Sequence, residues 1–347
     1  MKEKVRIGII GMGRMGITHY SIINSHPKVE IVSVSDTSSI TLSLLKKYLP
    51  NLKTYTDYNE QLADGGIDGV IVCTPPNLHY KICKTALEKG IAVFCEKPFT
   101  TNPDQARELM EDFAKAGLVN QVGYVNRFNS LFMTARDYIS KGLLGNIVRV
   151  KSEMFSCTIS KPQGGDNWRA RRENGGGATY EMAAHALDLV NFLLGQAPTG
   201  VRGTSLNYIY SNAVEDIVST TLEFADGCTG TLYVNWSDQS YRKPSNKLEF
   251  FGTNGKLLVD QYEMKIYLNK KIEGFDLRDG WNTIYITDVN TPVPFYVRGF
   301  EFTRQLYHFA DCIAAGMPDD ACDFKAGYET QRVIHQIFDD ADNNQKR

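Results

Sequence analysis

Hydrophobic and polar positions follow two different patterns along the chain, and the change falls at residue 123. Before it, short apolar runs rich in β-branched residues alternate with stretches of helical periodicity. These runs predict strands at residues 5–10, 29–35, 70–73, 91–95 and 119–122, and helices at residues 15–24, 39–47, 58–63, 78–89 and 104–116. Apolar strands that alternate with helices are typical of a parallel sheet covered on both faces. Residues 1–123 are therefore predicted to form a doubly wound α/β domain.

Beyond Gly123 the pattern is that of a mixed domain. It predicts a helix at 130–141, a strand at 147–155, a glycine- and arginine-rich loop at 161–177, a helix at 178–194 ended by Gly195, alternating strands from 201 to 268, closing helices at 300–314 and 325–341, and a frayed tail at 342–347. We therefore expect residues 124–347 to form an α+β domain with a large open, mainly antiparallel sheet. Its C-terminal helices are expected to pack back towards the first domain.

Composition narrows the classes of protein that fit this pattern. The chain has 347 residues, enough for two domains, and its net charge of -2 gives no field that would recruit nucleic acid. No run approaches the roughly 18 apolar residues that a bilayer span needs, and the first apolar run leads into a glycine turn like a strand rather than a signal peptide. We expect a cytoplasmic protein with no membrane partner.

The metal-binding residue types are scattered. The seven cysteines form no C-x-x-C pair, and the six histidines show no H-x-x-x-H spacing. This distribution fits reduced thiols better than disulfides, and no metal site is expected.

A glycine-rich turn follows the first predicted strand. Gly11, Gly13 and Gly16 form G-x-G-x-x-G, with Arg14 and Met15 inside the motif. The first glycine permits a tight turn, the second lets the backbone approach a pyrophosphate, and the third allows close helix–strand packing. The motif predicts a dinucleotide site, whereas the alternative is a glycine turn that only packs two elements.

An aspartate indicates which dinucleotide binds. Asp36 closes the second predicted strand, 20 residues after Gly16, where a carboxylate accepts hydrogen bonds from the adenosine ribose. A carboxylate repels a 2′-phosphate, and no arginine or lysine follows before Lys46, so NAD is favoured over NADP. The small residues Thr37, Ser38 and Ser39 leave NADP open.

Candidate chemistry follows the fifth predicted strand. Lys97, in Glu96-Lys97-Pro98, lies at a strand's carboxyl end, where open α/β sheets bind ligands. A lysine there can donate a hydrogen bond to a reacting oxygen and stabilise its negative charge. The alternative is a surface lysine paired with a neighbouring acid.

A second polar group follows a triple glycine. Glu181, His185 and Asp188 share one face of the helix predicted at 178–194. A histidine suits removal or return of a hydroxyl proton, and a neighbouring carboxylate would fix its tautomer. The alternative is a core histidine satisfied by local acids.

Over nearly its whole length the sequence resembles the glucose–fructose oxidoreductase / inositol dehydrogenase (Gfo/Idh/MocA) family. The motifs that carry the resemblance are the glycine fingerprint, Thr74-Pro75-Pro76-Asn77-Leu78-His79, Glu96-Lys97-Pro98, Gln121-Val122-Gly123-Tyr124, Arg127-Phe128 and the triple glycine Gly175-Gly176-Gly177.

The resemblance implies a Rossmann domain followed by an α+β domain whose open sheet forms a homodimer or homotetramer. It implies that Lys97 contacts the nicotinamide ribose and the substrate hydroxyl, and that His185 is the catalytic histidine. It places Thr74, Pro75, Asn77, His79 and Glu96 with the cofactor, and Trp168-Arg169 at the active site. Relatives usually carry aspartate where this chain has Glu181.

Further residues are candidates for the substrate. Tyr124, Arg127 and Asp188 are assigned to the pocket, although for Arg127 an ion pair is an equal alternative. Arg169, with Arg171 and Arg172, either binds a carboxylate or phosphate, as in a uronate or nucleotide-sugar, or forms a solvated basic turn.

We therefore predict an NAD(P)-dependent oxidoreductase that moves a hydride to or from a carbinol of a sugar, cyclitol or sugar derivative. Two alternatives remain open. One is a non-catalytic NAD(P)-binding sensor, and the other is a dehydrogenase for a non-carbohydrate substrate.

Overall fold

A computed structural model describes residues 4–162, 168–318 and 321–344. Residue contacts group the chain into two units. The first unit is Met1–Val125 with Pro292–Tyr328, and the second is Asn126–Thr291 with Glu329–Arg347. The sequence analysis assigns residues 124–347 to the second domain and expects its C-terminal helices to pack back towards the first. By contacts, residues 292–328 group with the first unit.

The first unit contains a six-stranded sheet in the order β3-β2-β1-β4-β5-β6, with every pairing parallel. Its elements in chain order are β1 (Val5–Ile10), α1 (Arg14–Ile23), β2 (Val29–Ser35), α2 (Ser39–Tyr48), β3 (Lys53–Tyr55), α3 (Tyr58–Ala63), β4 (Gly69–Val72), α4 (His79–Glu88), β5 (Ala92–Cys95), α5 (Pro103–Ala116) and β6 (Asn120–Val122), with a 3₁₀ turn at Pro76–Leu78. The predicted doubly wound α/β fold is confirmed. Sequence analysis missed β3, because three residues with no buried apolar side chain carry no periodic signal.

The core of the first unit extends beyond the sheet and its own helices. Helix α9 (Phe300–Ala315) contributes Leu306 and Phe309 to the cluster that contains Ile7 and Phe94. Burying an apolar side chain of this size stabilises a fold by about 1.5–3 kcal/mol. These contacts explain why residues so late in the chain group with the first unit.

The second unit contains an eight-stranded sheet in the order β14-β13-β12-β11-β7-β10-β9-β8. Its elements are α6 (Ser130–Ser140), β7 (Ile147–Phe155), a π-helix (Thr179–Ala183), α7 (Ala184–Leu194), β8 (Gly200–Asn207), β9 (Ile217–Glu223), β10 (Thr229–Asn235), β11 (Ser245–Gly252), β12 (Gly255–Val259), β13 (Glu263–Leu268), β14 (Gly280–Tyr285) and α8 (Ile286–Val289), with 3₁₀ turns at Val125–Phe128, Trp168–Ala170 and Arg172–Asn174. All pairings are antiparallel except β7 with β10, so the mainly antiparallel sheet is confirmed.

Burial alternates along the strands of the second unit. On β9 and β10 every second side chain is buried, including Val218, Leu222 and Leu232. On β13 and β14 the outward positions carry exposed aromatic rings, among them Tyr267 and Trp281. One face of the sheet is therefore core, and the other is open, as expected for a sheet covered on one side.

The structure differs from the sequence analysis at the end of the chain and describes only part of the loop predicted at 161–177. Helix α10 (Phe324–Asn344) continues through residues predicted to fray, and 345–347 lie outside the described residues. Within the predicted loop at 161–177, residues 163–167 also lie outside them. In the part of the chain that the structure describes, no helix has the length and apolarity to cross a bilayer.

Candidate cofactor and catalytic site

In the turn between β1 and α1, the local geometry at each of the three glycines agrees with the reason given for that glycine in the sequence analysis. Gly11 has φ +90°, and a Cβ there would lie 2.9 Å from the carbonyl carbon and oxygen of Cys73. A Cβ on Gly16 would overlap the carbonyl oxygen of Gly11. At Gly13, by contrast, an added Cβ meets no described atom within 4 Å. The second glycine therefore faces open space, as a backbone that receives a pyrophosphate requires.

Asp36 is bound to the backbone of this turn. Its Oδ2 accepts a hydrogen bond from the Met12 amide at 2.6 Å, and its Oδ1 accepts one from the Ser38 amide at 2.7 Å. The carboxylate therefore joins the end of β2 to the glycine turn. Arg14 and Met15 form the first turn of α1, where free N–H groups and the helix dipole favour an anion.

The loop after β4 lies beside the glycine turn, because β1 and β4 are neighbours in the sheet. The strand order changes direction between β1 and β4, and ligands bind open α/β sheets at such a position. The Thr74 hydroxyl oxygen is buried without a hydrogen-bond partner among the described residues. Pro75 and Asn77 are exposed. An orphaned hydroxyl and an open glycine fit a polar ligand such as a dinucleotide.

His79 requires a correction. It was assigned to the cofactor, but its ring is fully buried. Nε2 lies 2.9 Å from the Thr74 carbonyl oxygen, and Nδ1 lies 3.0 Å from that of Pro98. Burial lowers the pKa of His79, and the carbonyl oxygens of Thr74 and Pro98 oppose this shift. Its place is therefore internal, between the loop after β4 and the loop after Lys97.

The Glu96 carboxylate is also bonded to residues within the first unit. Its Oε1 lies 2.6 Å from Nε2 of His19, whose side chain is fully buried, and its Oε2 accepts a hydrogen bond from the Lys97 amide at 3.1 Å. Burial acts to raise the pKa of Glu96. Two neighbours outweigh burial and hold this pKa below its ordinary value: His19 through its hydrogen bond and charge, and Lys97 through its charge and backbone amide. Gly123 leaves room for the carboxylate, since a Cβ there would lie 2.8 Å from Oε2.

His19 is a site residue that the sequence analysis missed. It lies on α1, three residues after the last glycine of the fingerprint, on a side of the helix that is buried. The only sequence feature that could have indicated its role is a histidine on the apolar, buried side of a predicted helix. Its carboxylate partner lies 77 residues away, and no local pattern indicates that distance.

Lys97 lies two residues after the end of β5 and is half-buried, and the peptide bond that joins it to Pro98 is cis. The glycine turn, Thr74 and Lys97 come after β1, β4 and β5, which are adjacent parallel strands. The first unit therefore places these three predicted features along one edge of its sheet.

In the second unit, the segment that carries His185 was predicted to be one α-helix, but it consists of two helical pieces. Thr179–Ala183 is a π-helix, and α7 begins at Ala184. Between Glu181 and Leu193 only Glu181 and His185 retain partial exposure, whereas Asp188 is buried. Two of the three predicted residues therefore remain accessible.

Glu215, which the sequence analysis did not select, anchors the start of this segment. Its Oε1 accepts hydrogen bonds from the Thr179 amide at 2.9 Å and the Thr179 hydroxyl at 2.5 Å, and its Oε2 accepts one from Nη2 of Arg172 at 3.2 Å. A Cβ on Gly177 would lie 2.5 Å from Oε1. The triple glycine therefore makes room for a buried carboxylate at a helix start, where a negative charge is stabilising.

The other candidate residues of the second unit are paired. The Arg127 guanidinium contacts both Asp188 oxygens at 2.7–3.0 Å, with the side chains 9% and 1% exposed. Burial raises the pKa of Asp188, and Arg127 opposes this. Of the two alternatives for Arg127, the structure shows the ion pair. Asp188 is correspondingly removed from a ligand-facing role.

Arg169 and Tyr124 are the remaining residues that the sequence analysis assigns to the substrate. Arg169 stacks on Trp168, with Cζ 4.4 Å from the ring centroid, and its Nε lies 3.7 Å from the Glu181 carboxylate. Tyr124 was assigned to the substrate pocket, but it is 1% exposed and forms part of the core. No group of three His, Cys, Asp or Glu side chains that could hold a metal ion occurs within residues 4–162, 168–318 and 321–344.

The chain matches two family descriptions. Residues 5–124 match the Gfo/Idh/MocA oxidoreductase family with an NAD-binding Rossmann fold, and residues 132–258 match the Gfo/Idh/MocA C-terminal domain. The first unit is therefore an NAD-binding Rossmann fold.

Among individual relatives, the rhizopine catabolism protein MocA of Rhizobium meliloti is 31% identical over 232 residues, which is 66% of this chain and 70% of that protein. The scyllo-inositol 2-dehydrogenase (NAD(+)) of Bacillus subtilis is 27% identical over 333 residues, 94% of this chain and 91% of that protein. The fold matches that of levoglucosan dehydrogenase in complex with NADH and levoglucosan, with a TM-score of 0.85 at 20% identity, over 98% of each chain.

Proposed function

Because the chain belongs to the Gfo/Idh/MocA oxidoreductase family, we propose that it is an NAD-dependent dehydrogenase that acts on a carbinol of a neutral sugar or cyclitol. The first unit binds the dinucleotide, and the second binds the substrate. The observation that carries the proposal is the position of Lys97, at the sheet edge that also carries the open Gly13 and the orphaned Thr74 hydroxyl.

Each proposed step needs few residues. NAD, when bound, supplies the hydride acceptor. The Lys97 ammonium donates a hydrogen bond to the carbinol oxygen and stabilises the negative charge that grows there as the C–H bond breaks. His185 accepts the hydroxyl proton as general base and returns it in the reverse direction. Glu181, the other accessible residue of its helix segment, orients His185 or a substrate hydroxyl.

Charge pairing in the second unit supports a neutral substrate. Arg172 is paired with the buried Glu215, and Arg169 lies beside Glu181. Guanidiniums that already have carboxylate neighbours offer less to a uronate or a phosphate than unpaired ones. Two of the relatives are named scyllo-inositol 2-dehydrogenase and inositol 2-dehydrogenase. Inositol, the compound in both names, is a neutral polyol.

A substrate screen tests the proposal. Cyclitols, neutral aldoses and anhydrosugars, uronates and nucleotide-sugars are each incubated with NAD, and NADH formation is followed by absorbance. We expect turnover with neutral polyols and little with the anionic sugars. If NADH binds but no compound of any class is oxidised, a non-catalytic sensor is the better description. Turnover of uronates alone would contradict the proposed substrate class.

Two variants test the proposed roles. Lys97→Ala is expected to abolish turnover while NADH still binds, since the lysine acts on the reacting oxygen. His185→Asn is expected to lower kcat by about 10²–10⁴-fold and to remove one limb of the pH–rate profile. Near-normal turnover of the lysine variant, or an unchanged pH profile of the histidine variant, would exclude that residue from the mechanism.

We also propose that the open sheet of the second unit forms a homodimer or homotetramer. Phe251, Tyr267, Trp281 and Tyr285 point outward from β11, β13 and β14 and are 50%, 40%, 51% and 53% exposed. Such an apolar face on a sheet is typical of an interface between subunits. Light scattering should give a dimer or tetramer mass, and Trp281→Glu should lower it. A monomeric mass for the unaltered chain would contradict this proposal.

A further inference from the structure

Arg298 comes from the late segment of the chain that groups with the first unit, and it lies against the first turn of α1. Its Nη1 is 3.2 Å from the Met15 sulfur, and its Cζ is 5.1 Å from the centroid of the Phe302 ring. The next residue, Gly299, is the N-cap of α9 and has φ +144°. Packing against a thioether and an aromatic ring therefore positions this guanidinium.

Within the described residues, neither Arg298 nor Arg14 forms an ion pair with a carboxylate. Both are exposed. Partial burial, and then the like charge of Arg14, hold the pKa of Arg298 below its ordinary value, with Glu96 opposing. Glu96 does not neutralise the pair, because its oxygens are already bonded to His19 and to the Lys97 amide.

Two guanidiniums without carboxylate partners therefore share the N-terminus of one helix, whose own dipole is positive at that end. Such an arrangement is electrostatically unfavourable until an anion binds. The adjacent Gly13 faces open space, so the backbone leaves room for that anion. Arginine suits phosphate oxygens, since its planar fork donates two parallel hydrogen bonds.

We propose that Arg298 is a cofactor-binding residue that acts with Arg14 to hold the diphosphate of the dinucleotide at the start of α1. This inference rests on the dinucleotide site of the proposed function. It places one of the cofactor contacts outside the strands and helices of residues 1–125, in the segment that leads into α9.

The test is a binding measurement and needs no substrate. Isothermal titration of Arg298→Gln with NADH and with ADP-ribose should give affinities about tenfold weaker than the unaltered chain, because both ligands carry the diphosphate. Arg298→Lys should lie between the two, since it keeps the charge and loses the fork. Arg107→Gln is the matched control, because it removes the same charge from an exposed helix position of the first unit and should bind normally.

The inference is overturned if Arg298→Gln binds both ligands within twofold of the unaltered chain, in which case the dinucleotide site itself still stands. Equal weakening in the Arg107 variant would also overturn it, since the effect would then come from net charge alone. If the unaltered chain binds neither NADH nor ADP-ribose, the proposed function fails as well. A thermal melt of each variant without ligand verifies that the fold is intact.

Discussion

His19 on α1 and Glu96 after β5 are joined by a buried contact of 2.6 Å between Nε2 and Oε1. The other oxygen of Glu96 accepts the amide hydrogen of Lys97. A single carboxylate thus connects the helix that follows the glycine turn to the backbone of the proposed catalytic lysine. Because the contact is buried, its loss should affect both the stability of the first unit and the position of Lys97.

Replacement of His19 tests this connection. His19→Phe leaves the Glu96 carboxylate partly buried without its ring partner, so the free energy of unfolding should fall by about 2–3 kcal/mol. Urea denaturation measures it. The double variant His19→Phe/Glu96→Gln should recover part of the loss, because a neutral amide costs less to bury than a carboxylate. Additive losses in the double variant would show that the two side chains do not depend on each other.

Glu96 should also make stability depend on pH. Its folded pKa lies below the unfolded value, so the ionised carboxylate stabilises the fold above the unfolded pKa of about 4.3. This contribution is lost as the pH falls through the folded pKa. Glu96→Gln should therefore flatten the acid limb of a plot of unfolding free energy against pH. An acid limb identical to that of the unaltered chain would contradict the assigned pKa direction.

Asp36 should determine the preference between the two dinucleotides. Asp36→Ser removes the negative charge that repels a 2′-phosphate, and also the acceptor for the Met12 amide. We expect NADH to bind about tenfold more weakly and NADPH to bind more tightly than in the unaltered chain. Fluorescence titration measures both. Asp57→Ser, at the start of α3, is the control, since it also removes an aspartate that accepts a backbone amide. Unchanged preference in the Asp36 variant would refute the role.

The Arg127–Asp188 pair should behave as a buried ion pair. Arg127→Leu leaves a carboxylate that is 1% exposed without its guanidinium, which should cost about 3–5 kcal/mol of unfolding free energy. Arg127→Leu/Asp188→Leu should be more stable than either single variant, because no unpaired charge remains buried. Equilibrium denaturation of the three variants provides the comparison. A double variant as unstable as the sum of the single ones would favour independent roles.

Much of the fold was predictable because local patterns encode it. The apolar run of β1, the glycines that follow it, Asp36 at the end of β2 and Lys97 at the end of β5 lie where the sequence placed them. Each depends on neighbours within a few residues: a strand period, a turn that needs positive φ, or a strand end. The same holds for the alternating strands of the second unit.

Tertiary structure decided the rest. The pairings of His19 with Glu96, Arg127 with Asp188, and Glu215 with Thr179 join residues 77, 61 and 36 positions apart. The π-helix before His185 carries no local signal, and neither do the boundaries of the segment 292–328 that groups with the first unit. A periodic pattern reports which side of an element is buried, but the partner on that side is chosen by packing between elements distant in sequence. Which polar residues become ion pairs and which remain for a ligand is therefore settled only by the folded chain.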